Sequence, residues 1–289
     1  MRLGNGKEAM ETRNHAVITG AASGLGRDLS IALARKGWHI LVSDIIQDES
    51  AVTLNMVRQA GGSGETYLCD VTRIEEVQAM ADYVFGAWGR VDLLVNNAGV
   101  AAAGVVSELS IEDWHWLIDI NMWGMIYGCH AFIPHMKQAG RGHIVNISSA
   151  AGFVSLSEMA CYNVSKAAVI SLSETLRSEL APFSIGVSVV CPSFFNTNIQ
   201  MNMRACSEFQ RSFSSACFDN ARMPSENIAQ CIIKAYENNR LYVIPQASAR
   251  LQWLLKRISP ERYYQNQSSM RTSGHFYSIA LALARLGLV

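Results

Sequence analysis

The stretch His15-Ala16-Val17-Ile18-Thr19-Gly20-Ala21-Ala22-Ser23-Gly24-Leu25-Gly26 decides how this chain is read. Residues 15–19 are a short apolar run rich in β-branched side chains, which predicts a strand. A glycine-rich turn follows at once. Beyond it Leu29 and Leu33 recur at helical spacing as far as Lys36, and Gly37 is placed to stop the helix. Strand, glycine turn and helix in that order give a glycine fingerprint its meaning. Gly20, Gly24 and Gly26 let the backbone approach a pyrophosphate, and the helix N-terminus adds free N–H groups and a positive dipole. The alternative is an ordinary turn between strand and helix. The intact flanking pattern favours nucleotide binding.

The pattern repeats downstream. Trp38 to Ser43 reads as a second strand with Asp44 at its end. An acid there accepts hydrogen bonds from an adenosine ribose and repels a 2′-phosphate. Neither Ser23 nor Ile45 supplies a cation to hold that phosphate, so NAD is expected over NADP. The competing use of Asp44 is a turn or helix cap. Ser50 to Ala60 is helical, Gly61 to Gly64 breaks it, and Thr66 to Cys69 is a third strand closed by Asp70. In Arg73 to Trp88 the apolar residues Ile74, Val77, Met80, Ala81 and Val84 form one helical face. Val91 to Val95 is a fourth strand and runs into Asn96-Asn97-Ala98-Gly99, at what would be the carboxyl edge of a parallel sheet, where ligands bind.

Ile111 to Ala139 is a long helical region with a bend or break expected near Gly124 and Gly128. Asn121 lies in it among Ile118, Ile120, Met122 and Trp123, and a buried amide needs partners. Either a core hydrogen bond or a water-holding role would serve. Trp114, Trp116 and Trp123 read as packing. Gly142 to Ile147 is a fifth strand leading to Ser148-Ser149, Val187 to Val190 a sixth ending at Cys191-Pro192, Glu226 to Tyr236 a helix, and Leu241 to Ile244 a last strand. This alternation predicts an α/β fold: one doubly wound parallel sheet of about seven strands with helices on both faces.

Cys161-Tyr162-Asn163-Val164-Ser165-Lys166 opens the helix that ends before Pro182. Four-residue spacing puts Tyr162 and Lys166 on one face. A phenol's ordinary pKa of about 10 is too high for a base near neutrality, and a neighbouring ammonium is expected to lower it. Such a pair is a proton-transfer device in a cleft and a solvated face elsewhere.

Composition narrows the class. The 289 residues are 49% hydrophobic and 17% charged, a globular composition. Lys plus Arg equals Asp plus Glu at 24 each, so no global charge attracts nucleic acid. The 7 cysteines are odd in number and lack C-x-x-C spacing, which fits a reducing compartment, and the 7 histidines form no metal-ligand pattern. Met1 to Arg13 has no apolar segment of a secretory signal, and no run is long and apolar enough to span a bilayer, so a cytoplasmic location is expected.

Thr19-Gly20-x-x-x-Gly24-x-Gly26, Asn96-Asn97-Ala98-Gly99, Asn121, Ser149, Tyr162-x-x-x-Lys166, and Pro192 with Thr197 occur together and in this order. In these motifs, over roughly residues 14–245, the chain resembles the classical short-chain dehydrogenase/reductases. The resemblance implies that Tyr162 exchanges the proton of the substrate oxygen, Lys166 tunes it and holds the nicotinamide ribose, Ser149 binds the substrate oxygen, and Asn121 holds a relay water. It implies a dinucleotide held by Gly20, Ser23, Gly24, Leu25, Gly26, Asp44, Asp70, Val71, Asn97, Ala98, Gly99, Tyr162, Lys166, Pro192 and Thr197. Within that set Asp70 would meet the adenine, Asn97 the adenosine-side ribose and Thr197 the carboxamide. It also implies a homodimer or homotetramer assembled through the Tyr162 helix. Ser193 departs from the family's usual glycine, which would shift the loop beside the nicotinamide. An NADP-dependent carbonyl reductase and a catalytically silent nucleotide sensor of the same fold are the alternatives. The presence of Asn121, Ser149, Tyr162 and Lys166 argues against the second.

The resemblance also implies a substrate lid at about residues 194–223, where Met201, Met203, Phe209, Phe213 and Phe218 either line a pocket for a hydrophobic secondary alcohol or ketone, lipid-like, steroid-like or terpenoid, or simply pack the lid on the core. Residues 246–289 form a helical extension whose Leu251, Leu254, Leu255 and Ile258 make an apolar stripe, with Arg250, Trp253, Lys256 and Arg257 away from it. The stripe suits packing over the cleft or on another subunit, which is the expectation, or contact with a membrane surface. Ile279 to Val289 is apolar but too short to span a bilayer.

Overall fold

Short runs of Val, Ile, Leu and Ala become central strands here because helices cover both faces of the sheet they form. A computed structural model describes residues 13–272 and 276–285. Nearly all of the polar stretch Met1 to Arg13 and the last four residues of the apolar run at the C-terminus lie outside the described residues. The strands are β1 (His15–Thr19), β2 (His39–Asp44), β3 (Ser63–Leu68), β4 (Leu93–Asn96), β5 (Ala102–Ala103), β6 (Gly142–Ile147), β7 (Ile185–Val190), β8 (Arg204–Ala205) and β9 (Tyr242–Val243). Seven of them form one parallel sheet in the order β3-β2-β1-β4-β6-β7-β9, and β5 pairs with β8 separately. The register centres on Ile18 of β1, opposite Val42 on one side and Val95 on the other. After β3 the chain crosses back over β1 to begin β4. Such a reversal opens a crevice at the carboxyl ends of β1 and β4.

The helices are α1 (Gly24–Ala34), α2 (Gln47–Gln59), α3 (Ile74–Trp88), α4 (Ile111–Ile118), α5 (Gly124–Ala139), α6 (Ala151–Val154), α7 (Ala160–Leu180), α8 (Glu208–Asp219), α9 (Ser225–Glu237), α10 (Ala247–Ile258), α11 (Pro260–Thr272) and α12 (Phe276–Arg285). On one face Leu29 and Leu33 of α1, Val57 of α2 and Ile228 and Ile232 of α9 bury Ile18, Ile40 and Val95. On the other Met80 and Val84 of α3, Phe132 and Met136 of α5 and Leu176 of α7 bury Val17, Leu41 and Ile144. This is the three-layer, Rossmann-like architecture expected from the sequence.

The departures have physical causes. Gly64 does not end a helix connection but lies inside β3, where a Cβ would stand 2.1 Å from the carbonyl oxygen of Ile40. Gly128 does not break α5; a Cβ there would stand 2.2 Å from the side-chain oxygen of Asn96, so glycine lets the helix approach the end of β4. The break expected near Gly124 is present as a π-helical turn, Asp119–Trp123, directly before it. The third strand begins three residues earlier than Thr66, and the last strand is two residues rather than four. Residues 208–219 form a helix started by a reciprocal capping box between Ser207 and Gln210.

Candidate active site

Two hydrogen-bonded residues hold the glycine turn against the end of β4. The Thr19 hydroxyl accepts from the backbone N–H groups of Asn97 (3.0 Å) and Ala98 (3.2 Å). The Asn97 amide donates to the carbonyls of Thr19 and Gly20, both at 2.9 Å. The turn therefore lies so close that a Cβ on Gly20 would be 2.8 Å from Cα of Ala98, and one on Gly26 would be 2.3 Å from the Gly20 carbonyl. Gly20 also has φ of +64°, a conformation that favours glycine. Ser23 stands at the N-cap of α1 without a side-chain capping bond and lines the cleft. The cradle, the helix N-terminus and the strand-end residues fit a dinucleotide.

That cleft has a volume of about 550 Å³. It runs past Gly20, Ser23, Gly24, Leu25, Asp44, Asp70, Val71, Asn97, Ala98 and Gly99 to Ser149, Tyr162, Lys166, Pro192 and Thr197. The structure thus brings fourteen of those fifteen expected dinucleotide positions, together with Ser149, to one surface; Gly26 lies behind the turn and supports it. Asp44 accepts from the N–H of Ala22 (3.0 Å) and of Ile46 (3.2 Å), so it also fastens the turn. Asp70 accepts from the N–H and hydroxyl of Thr72, at 2.9 and 2.8 Å. Arg27, in the first turns of α1, does not line the cleft and is engaged by Ala22, Thr53 and Glu49.

Asn121 is completely buried in the π-helical turn. Its side-chain oxygen accepts from Val100 N–H (2.8 Å), and its amide donates to the Val100 carbonyl (2.9 Å) and the Ser165 hydroxyl (3.3 Å). The amide is thus spent on the core. A Cβ on Gly99 would stand 3.1 Å from Asn121 Oδ1 and 3.5 Å from Lys166 Nζ, so Asn121 and Lys166 flank the same glycine.

Ser149 accepts from Ala151 N–H (3.2 Å) and donates to the Pro192 carbonyl (3.3 Å), which ties the end of β6 to that of β7. Lys166 is buried, donates to the Ile147 carbonyl at 3.1 Å, and has its Nζ 5.6 Å from the centre of the Tyr162 ring. Burial pushes the Lys166 ammonium down to about 8. Burial also pushes the Tyr162 phenol up to about 12, opposed by a hydrogen bond with Ser149. The simple expectation that the ammonium makes this phenol acidic is therefore not met in this structure: desolvation is the larger effect. Ser193 sits in the loop without a left-handed backbone, its N–H donating to Gln246 at 3.0 Å, so the departure from glycine strains nothing.

The far half of the cleft is apolar. Met203, Phe209, Phe213 and Phe218 line it as expected, whereas Met201 points outward with 77% exposure. Sequence reading missed Phe194 and Phe195, although two adjacent aromatics directly after Pro192-Ser193 are a readable signal. The extension does lie over the cleft, one of the two packings expected, but through Gln252, Gln267, Met270, Ala280 and Leu283 rather than through the leucine stripe. Glu158 was missed too. Its side chain, 9% exposed, accepts from Gln210 of α8 (3.0 Å) and Tyr277 of α12 (3.0 Å) and pairs with Arg271 of α11. Its backbone has φ of +63°, and its carbonyl accepts from Gly104 N–H at 2.7 Å.

A sequence model of the short chain dehydrogenases matches residues 14–208. The chain belongs to that family. Among short chain dehydrogenases and related proteins, the probable oxidoreductase EphD of Mycobacterium tuberculosis is 38% identical over 185 residues, 63% of this chain and 31% of EphD. The chain thus matches only about a third of the length of that relative. The 1-deoxy-11-beta-hydroxypentalenate dehydrogenase of Streptomyces avermitilis is 29% identical over 263 residues, covering 88% of this chain and 94% of that protein. A short chain dehydrogenase/reductase from Burkholderia phymatum, solved in complex with NAD, superposes with a TM-score of 0.81 at 32% identity, covering 86% of this chain and 94% of that one.

Proposed function

We propose that this short chain dehydrogenase interconverts a hydrophobic secondary alcohol and its ketone, using NAD in preference to NADP. The observation that carries the reading is the convergence of Ser149, Tyr162 and Lys166 between the glycine cradle and an aromatic chamber in one cleft. The dinucleotide would be held by the turn from Gly20 to Gly26, by Asp44, Asp70 and Val71, by Asn97, Ala98 and Gly99, and by Lys166, Pro192 and Thr197. When bound it supplies the hydride acceptor or donor.

In this scheme Ser149 hydrogen-bonds the substrate oxygen and sets it against Tyr162. The phenol, protonated at neutral pH in this structure, donates to the oxygen of a ketone and takes the proton back from an alcohol. Lys166, at about 8, exchanges protons near neutrality, and Asn121, flanking the same glycine, braces the backbone beside it. Holding the substrate oxygen against two side chains of one cleft supplies much of the rate through orientation.

Asp44 supports the NAD preference, since no Lys or Arg lines the described cleft beside it. The NAD bound in the Burkholderia neighbour supports it as well. Phe194 meets Phe218 edge-on at 5.3 Å, and Phe209 stacks on Phe213 at 5.8 Å, giving the chamber flat apolar walls. The Streptomyces relative, named for dehydrogenating a hydroxypentalenate, supports a hydroxyl as the reacting group. All seven cysteines are free, which supports a reducing, cytoplasmic setting. Val164, half-exposed on α7, supports assembly of two or four copies through that helix.

The test is purified protein with NAD and a panel of apolar secondary alcohols, and with NADH and the matching ketones, read by nicotinamide absorbance. Turnover on bulky apolar members and none on small polar ones is expected. Silence across the panel in both directions overturns the reading. Asp44→Ala should bring the Kd values for NAD and NADP together.

A further inference from the structure

Helix α10 has two unlike sides. Ala249 and Trp253 pack on the body of the molecule, and Lys256 donates to the Phe153 carbonyl at 2.6 Å. On the other side Leu251, Leu254, Leu255 and Ile258 are exposed, Leu251 by 57% and Ile258 by 71%. Four large aliphatic side chains at positions i, i+3, i+4 and i+7 make a continuous stripe. The stripe foreseen as a packing face is therefore the uncovered one, and the helix packs through its back.

Charge says what the stripe fits. Residues 246–289 carry six basic side chains, Arg250, Lys256, Arg257, Arg262, Arg271 and Arg285, against one acid, Glu261. The whole chain has a net charge of zero, so the extension gathers positive charge that the rest of the molecule balances. At about 100° per residue, Arg250 and Arg257 both fall along one border of the stripe. Both residues are exposed. The Arg257 guanidinium lies 4.3 Å over the Trp253 ring, and Arg250 donates to the carbonyls of Ile244 (2.6 Å) and Pro245 (2.8 Å), so both are held there. Aliphatic face, basic border and adjacent tryptophan are the features of a helix lying in the headgroup region of a bilayer.

We propose that α10 docks this protein on an anionic phospholipid surface. Among the described residues no helix is long and apolar enough to cross a membrane, so the contact is peripheral. A second copy of the chain fits the stripe less well. Four side chains on one 12-residue helix are far fewer than the roughly 20–30 residues a side of a stable protein interface. The same helix lines the cleft through Ala249 and Gln252, so docking would place the substrate chamber's roof at the lipid, from which an apolar alcohol could enter. That last benefit rests on the proposed substrate class, whereas the docking itself does not.

Flotation of the full-length protein with vesicles separates the two, because it needs no turnover. Vesicles of equal parts phosphatidylcholine and phosphatidylglycerol should carry the protein, vesicles of phosphatidylcholine alone should carry much less, and added salt should release it. Leu254→Glu with Leu255→Glu should lower the partition coefficient by about tenfold for each leucine. Arg257→Gln with Arg262→Gln should weaken binding to anionic vesicles alone. All of these side chains are exposed, so circular dichroism and NADH binding should be unchanged. Failure of the parent protein to float, flotation undiminished in the leucine variant, or a smaller oligomer on substituting the leucines would each overturn the proposal. The last outcome would assign the stripe to a second copy.

Discussion

The two edges of the one parallel sheet carry similar residues to opposite ends. At the amino edge His15 begins β1, His39 begins β2, and Asp92 and His143 are buried beside them. At the carboxyl edge Asp44, Asn97, Ser149 and Lys166 stand at or near strand ends. The amino-edge groups are held in the packing, with His143 bonded to Ser188 and the other three packed together. His15 stacks on Trp88 at 5.2 Å and meets His39 edge-on, and Asp92 accepts from His15 N–H (2.9 Å) and Arg141 (2.6 Å). The carboxyl-edge groups share their bonds with backbone and still face a cleft of about 550 Å³. Polarity at a strand end therefore says little by itself. What separates a structural edge from a chemical one is whether the polar groups open onto a cleft: the His15 ring nitrogens have no hydrogen-bond partner but are buried, whereas Ser149 and Lys166 line the cleft.

The contrast is sharpest for Tyr162→Phe at the carboxyl edge. It removes one oxygen whose partner is Ser149. Turnover should fall by about 10²–10⁴-fold, the usual contribution of a positioned acid or base. NADH affinity should stay within about twofold and the melting temperature should hardly move. Comparable turnover in the variant would remove Tyr162 from the chemistry and leave the cleft as a binding site only.

Acid should attack the other edge. Burial pushes His15 and His143 down to about 4, against an ordinary 6.5. Below 6.5 the unfolded chain takes up protons that the folded one refuses, so stability present above pH 6.5 is lost as pH falls toward 4. On the order of 2 kcal/mol per imidazole is at stake. Urea midpoints at pH 7 and pH 5 should show the loss. His143→Asn, which can keep a bond to Ser188, should flatten the slope; an unchanged slope would mean that His143 titrates alike in the folded and unfolded chains. Asp92→Ala should cost about 1–2 kcal/mol, chiefly by leaving the buried His15 N–H without its acceptor, since Arg90 and Arg141 are partly exposed, while the folded fraction binds NADH normally.

The same contrast explains what could be read from the sequence. The glycine turn, the strand that feeds it and the Tyr162-x-x-x-Lys166 helix were legible because each is dictated by neighbours in the chain. Gly64 and Gly128 were not, since their reasons are Ile40 and Asn96, far away in sequence. The phenol's pKa was misjudged because four-residue spacing reveals a neighbour but not how much water has been removed. The roof was the least legible part: α8 announces itself by Ser207 and Gln210, but nothing near Glu158 in the sequence tells that Gln210, Arg271 and Tyr277 meet it.

Glu158 offers the smallest and most discriminating test, because it joins the substrate chamber to segments that neither edge of the sheet encodes. It sits in a left-handed backbone conformation and holds α8, α11 and α12 through one carboxylate. Glu158→Gln keeps the size but loses the charge, so the grip on Arg271 weakens. The apparent KM for the best apolar alcohol should rise about tenfold, the effect of losing roughly 1.4 kcal/mol of chamber closure, with kcat within about twofold. Glu158→Gly removes the grip on Gln210 and Tyr277 as well as on Arg271 but relieves the backbone by about 1 kcal/mol, so it should raise KM at least as much while recovering part of the lost stability. If KM rises only in the variant that melts lower, the chamber is sensitive to general loosening. If it rises in both, the carboxylate itself shapes the substrate end of the cleft.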